Sequence, residues 1–248
     1  MKRTLDRLGK SEFTRRAVVA GGNFIFVVGY LRDISDLDRY AEFVRSEAEI
    51  AEPTVGIYCL DDGLMPYYPV DGSGSQKRAH RTLSPLDLKI IAVLQDDARK
   101  PVQDIADEVK ASAKTVRRHL DRMVSEGCLD FQIPMDMARR GDLMVVASIR
   151  LADGASKAAI GRKILSRSFF MDQYVRTYSN LTDLAHWVFW SDDIDTTRNA
   201  LGEVGEYEEV LSVVPHFCYI ERLYPTWKDK LVDANRLPLS KPSGRTAT

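Results

Sequence analysis

The chain has 248 residues, 44% hydrophobic and 29% charged, and a formal net charge of -1. That length suits two domains with real cores, and the composition is that of an ordinary globular protein. A balance so near zero excludes a polybasic coat protein, so any nucleic-acid surface has to be a local patch.

In chain order, FIFVVGYL reads as a strand, SDLDRYAEFVRSEA as a helix and TVGIYCL as a strand. Residues 1–70 are therefore expected to be a partial β-α-β segment. So few strands bury too little surface to stand alone, which predicts that the segment leans on another part of the molecule. Residues 71–82, opening DGSGSQKRAHR, read as a flexible basic linker.

A compact helical block follows, over residues 83–134. Ser84 caps a first helix, Pro85 suits its first position, and Asp87 completes a capping-box pattern. Leu86, Ile90 and Leu94 share one face of it, with Ile91 beside them. After Pro101, Val102, Ile105, Ala106 and Val109 mark a second helix. Ser112 caps a third, whose buried stripe is Val116, Leu120 and Met123 and which Gly127 terminates. Leu129, Phe131 and Ile133 alternate as the start of a wing. Two short helices across a tight turn, the second carrying surface charge, form a helix-turn-helix. The exposed face of the third helix is Lys114, Thr115, Arg117, Arg118 and Arg122, with Asp121 as its one acid. Arg and Lys so placed reach guanine edges and phosphates, and Ser112 with the helix N-terminus suits a phosphate. These six residues, from Ser112 to Arg122, are the expected contacts to double-stranded DNA.

Residues 141–227 mix strands and helices in a clear order. LMVVASIRL is a strand, SKAAIGRKILS a helix, Tyr174 to Tyr178 and LAHWVFW strands, DTTRNALGEVGEY a helix, and VVPHFCYIERL a last strand. That is the β-α-β-β-α-β order of a ferredoxin-like domain. The fold class expected is α+β: a winged helix-turn-helix plus a ferredoxin-like domain, preceded by the partial segment. Residues 228–248 read as a largely disordered tail.

The stretch LSPLDLKIIAVLQDDARKPVQDIADEVKASAKTVRRHLDRMVSEGCLDF resembles the leucine-responsive regulator (Lrp/AsnC) family. The likeness lies in the Leu-x-x-x-Asp of helix one, the Ile-Ala pair of helix two, Ser112, Val116 and the Glu-Gly before the wing. It extends to about Pro225 through the βαββαβ order, which in that family is a ligand-sensing (RAM-like) domain. The resemblance implies a sequence-specific transcription regulator, not an enzyme, acting as a dimer or higher oligomer under an amino acid or similar small metabolite. It also implies an effector near the loop between the second and third sensor strands. The matching residues are Ser179, Asn180, Thr182 and Asp183, although the family's loop glycine is missing here, and these residue types also favour plain turns. The helix-turn-helix is central where the family has it N-terminal. Lys110 stands where the family favours Gly, which costs ~1–2 kcal/mol if the backbone there is left-handed. His119 replaces a frequent Arg and reads as partly packed.

FIFVVGYL, LMVVASIRL and LAHWVFW are apolar at nearly every position, so both faces of their sheet should be covered. A second subunit or the N-terminal segment supplies the cover, and the first option predicts a dimer reading two half-sites. Two other readings stay open: a low-specificity architectural DNA-binding protein, and a metabolite-binding protein without DNA activity. Cys59, Cys128 and Cys218 lack a CxxC spacing, which speaks against a zinc finger and for a reducing cytoplasm. No signal peptide or membrane span is expected. His216, Cys218 and His186 lie on strands that are not neighbours, which speaks against a metal, and no cofactor motif is present.

Overall fold

The computed structural model describes residues 2–50, 52–58, 82–129, 131, 143–170 and 172–235. The chain divides into two units, residues 1–76 with 134–224 and residues 77–133 with 225–248. In sequence the two units interleave: residues 77–133 are inserted within the sheet unit and residues 225–248 follow it.

The sheet unit has strands β1 (Thr14–Ala20), β2 (Phe24–Gly29), β3 (Leu143–Leu151), β4 (Gln173–Thr177), β5 (Leu184–Ser191) and β6 (Val210–Leu223). All pairings are antiparallel, in the order β2-β1-β6-β3-β5-β4. The last four strands, with helices α6 (Lys157–Ser166) and α7 (Ile194–Gly205), make the expected ferredoxin-like βαββαβ fold. On one face Val145, Ala147 and Ile149 of β3 and Trp187 and Phe189 of β5 pack under Ile160 and Ile164 of α6 and Ala200 and Val204 of α7. The Trp187 indole N–H, fully buried, donates to Gln173 Oε1 at 3.1 Å, which removes the penalty of an orphaned donor.

The opposite face is also dry at its centre: Val18, Ala20, Met144, Val146, Tyr174, Val188 and Cys218 form a second buried cluster, with Phe26 and Trp190 against it. The cover is intramolecular. In a flat sheet β2 and β5, four places apart, would lie about 19 Å from each other. Instead the Phe26 ring of β2 sits 5.6 Å from His186 of β5 and 5.5 Å from His216 of β6. The sheet therefore curls, with this face on the inside.

Residues 1–70 depart from the partial β-α-β reading. FIFVVGYL supplies β2, the second arm of a hairpin whose first arm, TRRAVVA, pairs with β6. Gly21-Gly22-Asn23 makes the turn, with Gly22 and Asn23 left-handed (φ 75° and 62°), as tight hairpins demand. Helix α1 (Lys2–Leu8) packs against α2 (Leu37–Ala48), and Tyr40 of α2 donates to Thr14 Oγ1 at 3.1 Å. Residues 52–57 form no strand; Tyr58 makes a single bridge to Tyr178. The backbone groups a strand would use are taken by a side chain: Asn180 accepts from Ile57 N at 2.8 Å and donates to Val55 O at 2.7 Å.

The helical unit contains α3 (Pro85–Asp96), α4 (Val102–Val109), α5 (Ala113–Ser125) and α8 (Trp227–Asp233). Ser84 and Asp87 form a full capping box at α3. Ile90, Leu94, Ile105, Ala106, Val109, Val116 and Met123 make the core. Gly127 (φ 65°) ends α5, with Cys128 N–H on Met123 O and Gly127 N–H on Val124 O, the paired bonds of a Schellman cap. Helix α8 lies where the sequence suggests a tail. Thr226 and Asp229 cap it, and Val232 packs on Leu88 and Ala92, covering the side of α3 that α4 and α5 leave open. Leu129 and Phe131 are in no strand, and Ile133, the 71–81 part of the linker and residues 236–248 lie outside the described residues. Among the described residues no helix is long and apolar enough to cross a membrane.

Lys110 caps the C-terminus of α4 at φ 57°, ψ 48°. A β-carbon there is strained by about 1 kcal/mol relative to glycine. Lys110→Gly should therefore stabilise the free protein by about 1 kcal/mol, read as a higher urea midpoint at unchanged slope.

Candidate DNA-binding surface and the polar cluster of the curled face

Helix α5 is positioned from below by Val116 and Met123, both fully buried. Ser112 caps it: its hydroxyl accepts from Thr115 N at 3.1 Å and lies 2.9 Å from Thr115 Oγ1. No acid sits in the first turn, so the positive end of the helix dipole is left for an anion. Lys114, Arg117 and Arg118 are exposed, and none of the three has an ion-pair or hydrogen-bond partner among the described residues.

Arg122 differs from them. Its guanidinium donates to Asp87 Oδ2 at 2.5 Å, while His119 Nδ1 donates to Asp87 Oδ1 at 2.7 Å. Asp87 is fully buried and also serves as the capping-box acid of α3. Burial pushes its carboxyl up, but the hydrogen bonds from Arg122, His119 and Ser84 outweigh that and hold it well below the usual carboxylate range. Of the six expected DNA contacts, five stand together at the front of α5. The sixth, Arg122, although still in part exposed, bonds Asp87 and so fastens α5 to α3.

The loop between β4 and β5 is occupied by the chain itself. Ser179 N donates to Ile57 O at 2.9 Å, and Asn180 holds Val55 and Ile57. Asp183 pairs with Arg150 at 2.5 Å, and Lys157 Nζ donates to Leu181 O at 2.8 Å and to Tyr178 O. Thr182 is exposed. The loop therefore anchors residues 52–58 to the end of β4.

The anchored segment delivers Tyr58 to a polar cluster that the sequence reading passed over. Arg176, on the inner face of the curled sheet, donates to Tyr58 Oη at 3.0 Å and to Tyr174 Oη at 2.8 Å. Its guanidinium also lies 5.1 and 4.8 Å from the centres of those two rings. Tyr178 Oη bonds His186 Nδ1, and His216 Nε2 is 3.1 Å from Ser148 Oγ. Burial, then the nearby Arg176, His216 and Arg150 charges, lower His186 to about 4. The signal was in the strand: the alternation Tyr174, Arg176, Tyr178 puts a cation between two phenols on a face otherwise apolar.

Residues 83–129 match the family model described as winged helix-turn-helix DNA-binding. Among solved structures, the chain is similar to E. coli AsnC, with 16% identity over 67% of this chain and 99% of that one and a TM-score of 0.44. It is similar to B. subtilis LrpC, with 14% identity over 56% and 96% and a TM-score of 0.45. An AsnC family transcriptional regulator from Agrobacterium tumefaciens shares 20% identity over 54% and 89%, with a TM-score of 0.43. Comparison with curated proteins gives no match.

Asp87→Asn should destabilise the helical unit by about 3 kcal/mol, the low end for a broken buried pair because Arg122 reaches water. The wild-type contribution is present above the unfolded carboxylate pKa and is lost as pH falls below about 4 toward the depressed folded value. Urea midpoints measured from neutral pH to about pH 3 should fall in the wild type and lie flatter in the variant.

Proposed function

With residues 83–129 matched to a winged helix-turn-helix as the premise, we propose that this protein is a sequence-specific transcription regulator of the Lrp/AsnC type. It works in the cytoplasm on double-stranded DNA, with α5 in the major groove. The observation that carries this reading is the contrast along α5: Lys114, Arg117 and Arg118 are exposed and make no ion pair among the described residues, while Arg122 pairs with Asp87. Solvated surface lysines and arginines are commonly neutralised by neighbouring acids. Here the free cations sit at the front of the one helix that this motif inserts into DNA. Ser112, Thr115 and the first-turn N–H groups take a phosphate; Lys114, Arg117 and Arg118 take base edges and flanking phosphates.

Reading two half-sites calls for a dimer or a multiple of one, and we place the pairing surface outside the curled face, which the chain's own hairpin covers. Control by a small metabolite belongs to the same reading, with the sheet unit as the sensor.

DNA fragments enriched by genome-wide mapping supply the probe. Arg117→Ala with Arg118→Ala should weaken binding in a gel shift by ten- to a hundredfold or more, since a base-reading Arg is worth about 1–3 kcal/mol. The salt dependence should flatten at the same time. Equal affinity of wild type and double variant would overturn the site. A small ratio of specific to random DNA affinity would instead favour the architectural reading.

A further inference from the structure

The cluster around Arg176 holds more hydrogen-bond donors than acceptors. The guanidinium has N–H groups beyond the two that meet Tyr58 and Tyr174, and no Asp or Glu pairs with it among the described residues. Each of those phenol oxygens already accepts from Arg176, so each still has its own proton to donate. Neither proton meets an acceptor among the described residues. The Tyr178–His186 pair adds another donor. The imidazole is neutral at pH 7, and burial keeps the Tyr178 phenol protonated. The pair thus holds two protons and spends one on the bond between them, so whichever way that bond runs one donor is left over, without an acceptor among the described residues. Donors that outnumber acceptors among the described residues, gathered about one half-buried cation, are complementary to an anion.

The anion's nature follows from the same geometry. One guanidinium balances one negative charge, so a dianion such as phosphate would leave charge uncompensated. The fork matches a planar carboxylate in two-point contact. The walls are rings: Tyr58 and Tyr178 stack at 5.4 Å, and Tyr174 lies 6.1 Å from Trp190. Flat apolar matter packs well against such faces.

We propose that the inner face of the curled sheet binds a small organic monocarboxylate, its carboxylate held by Arg176, Tyr58 and Tyr174 and its body lying against the aromatic walls. Binding itself is independent of the DNA reading. Only its role as the metabolite signal rests on that reading.

The test is calorimetry on the full chain with benzoate, acetate and inorganic phosphate as probes. Benzoate should bind, acetate more weakly, and phosphate not measurably. Arg176→Gln and Tyr58→Phe should each weaken benzoate at least tenfold, while Arg198→Ala, on the exposed face of α7, should leave it unchanged. Near-UV circular dichroism checks folding, and the nearly isosteric Tyr58→Phe decides the matter should Arg176→Gln fail to fold. No benzoate uptake, equal uptake by wild type and Tyr58→Phe, loss in Arg198→Ala, or phosphate binding as well as benzoate would each overturn the proposal. A failed gel shift with intact benzoate binding would overturn the DNA reading alone.

Discussion

The sheet unit depends on one closure: the N-terminal hairpin bends round until Phe26 meets His186 and His216. β3 and β5 are apolar on both faces, and α6 and α7 cover only one. Without the hairpin, Val146, Val188 and Cys218 would face water, at about 25 cal/mol for each Å² exposed. The closure draws on both segments of the sheet unit, with residues 77–133 inserted between them. A curled face is concave, and that concavity gathers Arg176, three phenols and two imidazoles into one place.

The second constraint lies in the helical unit. Asp87 caps α3 and, through Arg122 and His119, fixes the angle of α5. An acid so deeply buried is tolerable only because each oxygen is spoken for. The arrangement separates two roles on a single helix. Arg122, near the C-terminus of α5, is a fastener. Lys114, Arg117 and Arg118, nearer the front, are exposed and make no ion pair among the described residues. The left-handed Lys110 and the glycine-capped end of α5 set where that helix starts and stops.

Much of this was legible in the sequence, and what was not has identifiable causes. The strands β3 and β5 declare themselves as unbroken apolar runs, and the helices of the central block by their spacing and caps. β1 was hidden because Arg15 and Arg16 interrupt its apolar run, although the Gly-Gly-Asn turn beside FIFVVGYL was a hairpin signal. Helix α8 is only seven residues long, with one buried side chain, so periodicity had nothing to register. Arg122 looked like Arg117 and Arg118 because a helical wheel cannot show a partner 35 residues away. TVGIYCL looks like a strand by composition. Over its described residues, 54–58, the Asn180 side chain, more than 120 residues distant, takes the Ile57 N–H and the Val55 carbonyl.

The closure also changes the argument for pairing. Apolar residues on both faces of the strands allow two explanations, a second subunit or the chain's own N-terminal segment. The hairpin realises the second, so burial of that face no longer requires another copy. Under the proposed function, what still calls for two copies is the DNA itself. A single recognition helix covers a short stretch of groove, and two-fold pairing doubles the contacts and fixes their spacing. Those demands bear on where the helices stand, not on which surface joins the chains. On the proposed reading, sensing and pairing use different surfaces: the ligand lies on the inner face, which the hairpin covers, and the copies join elsewhere.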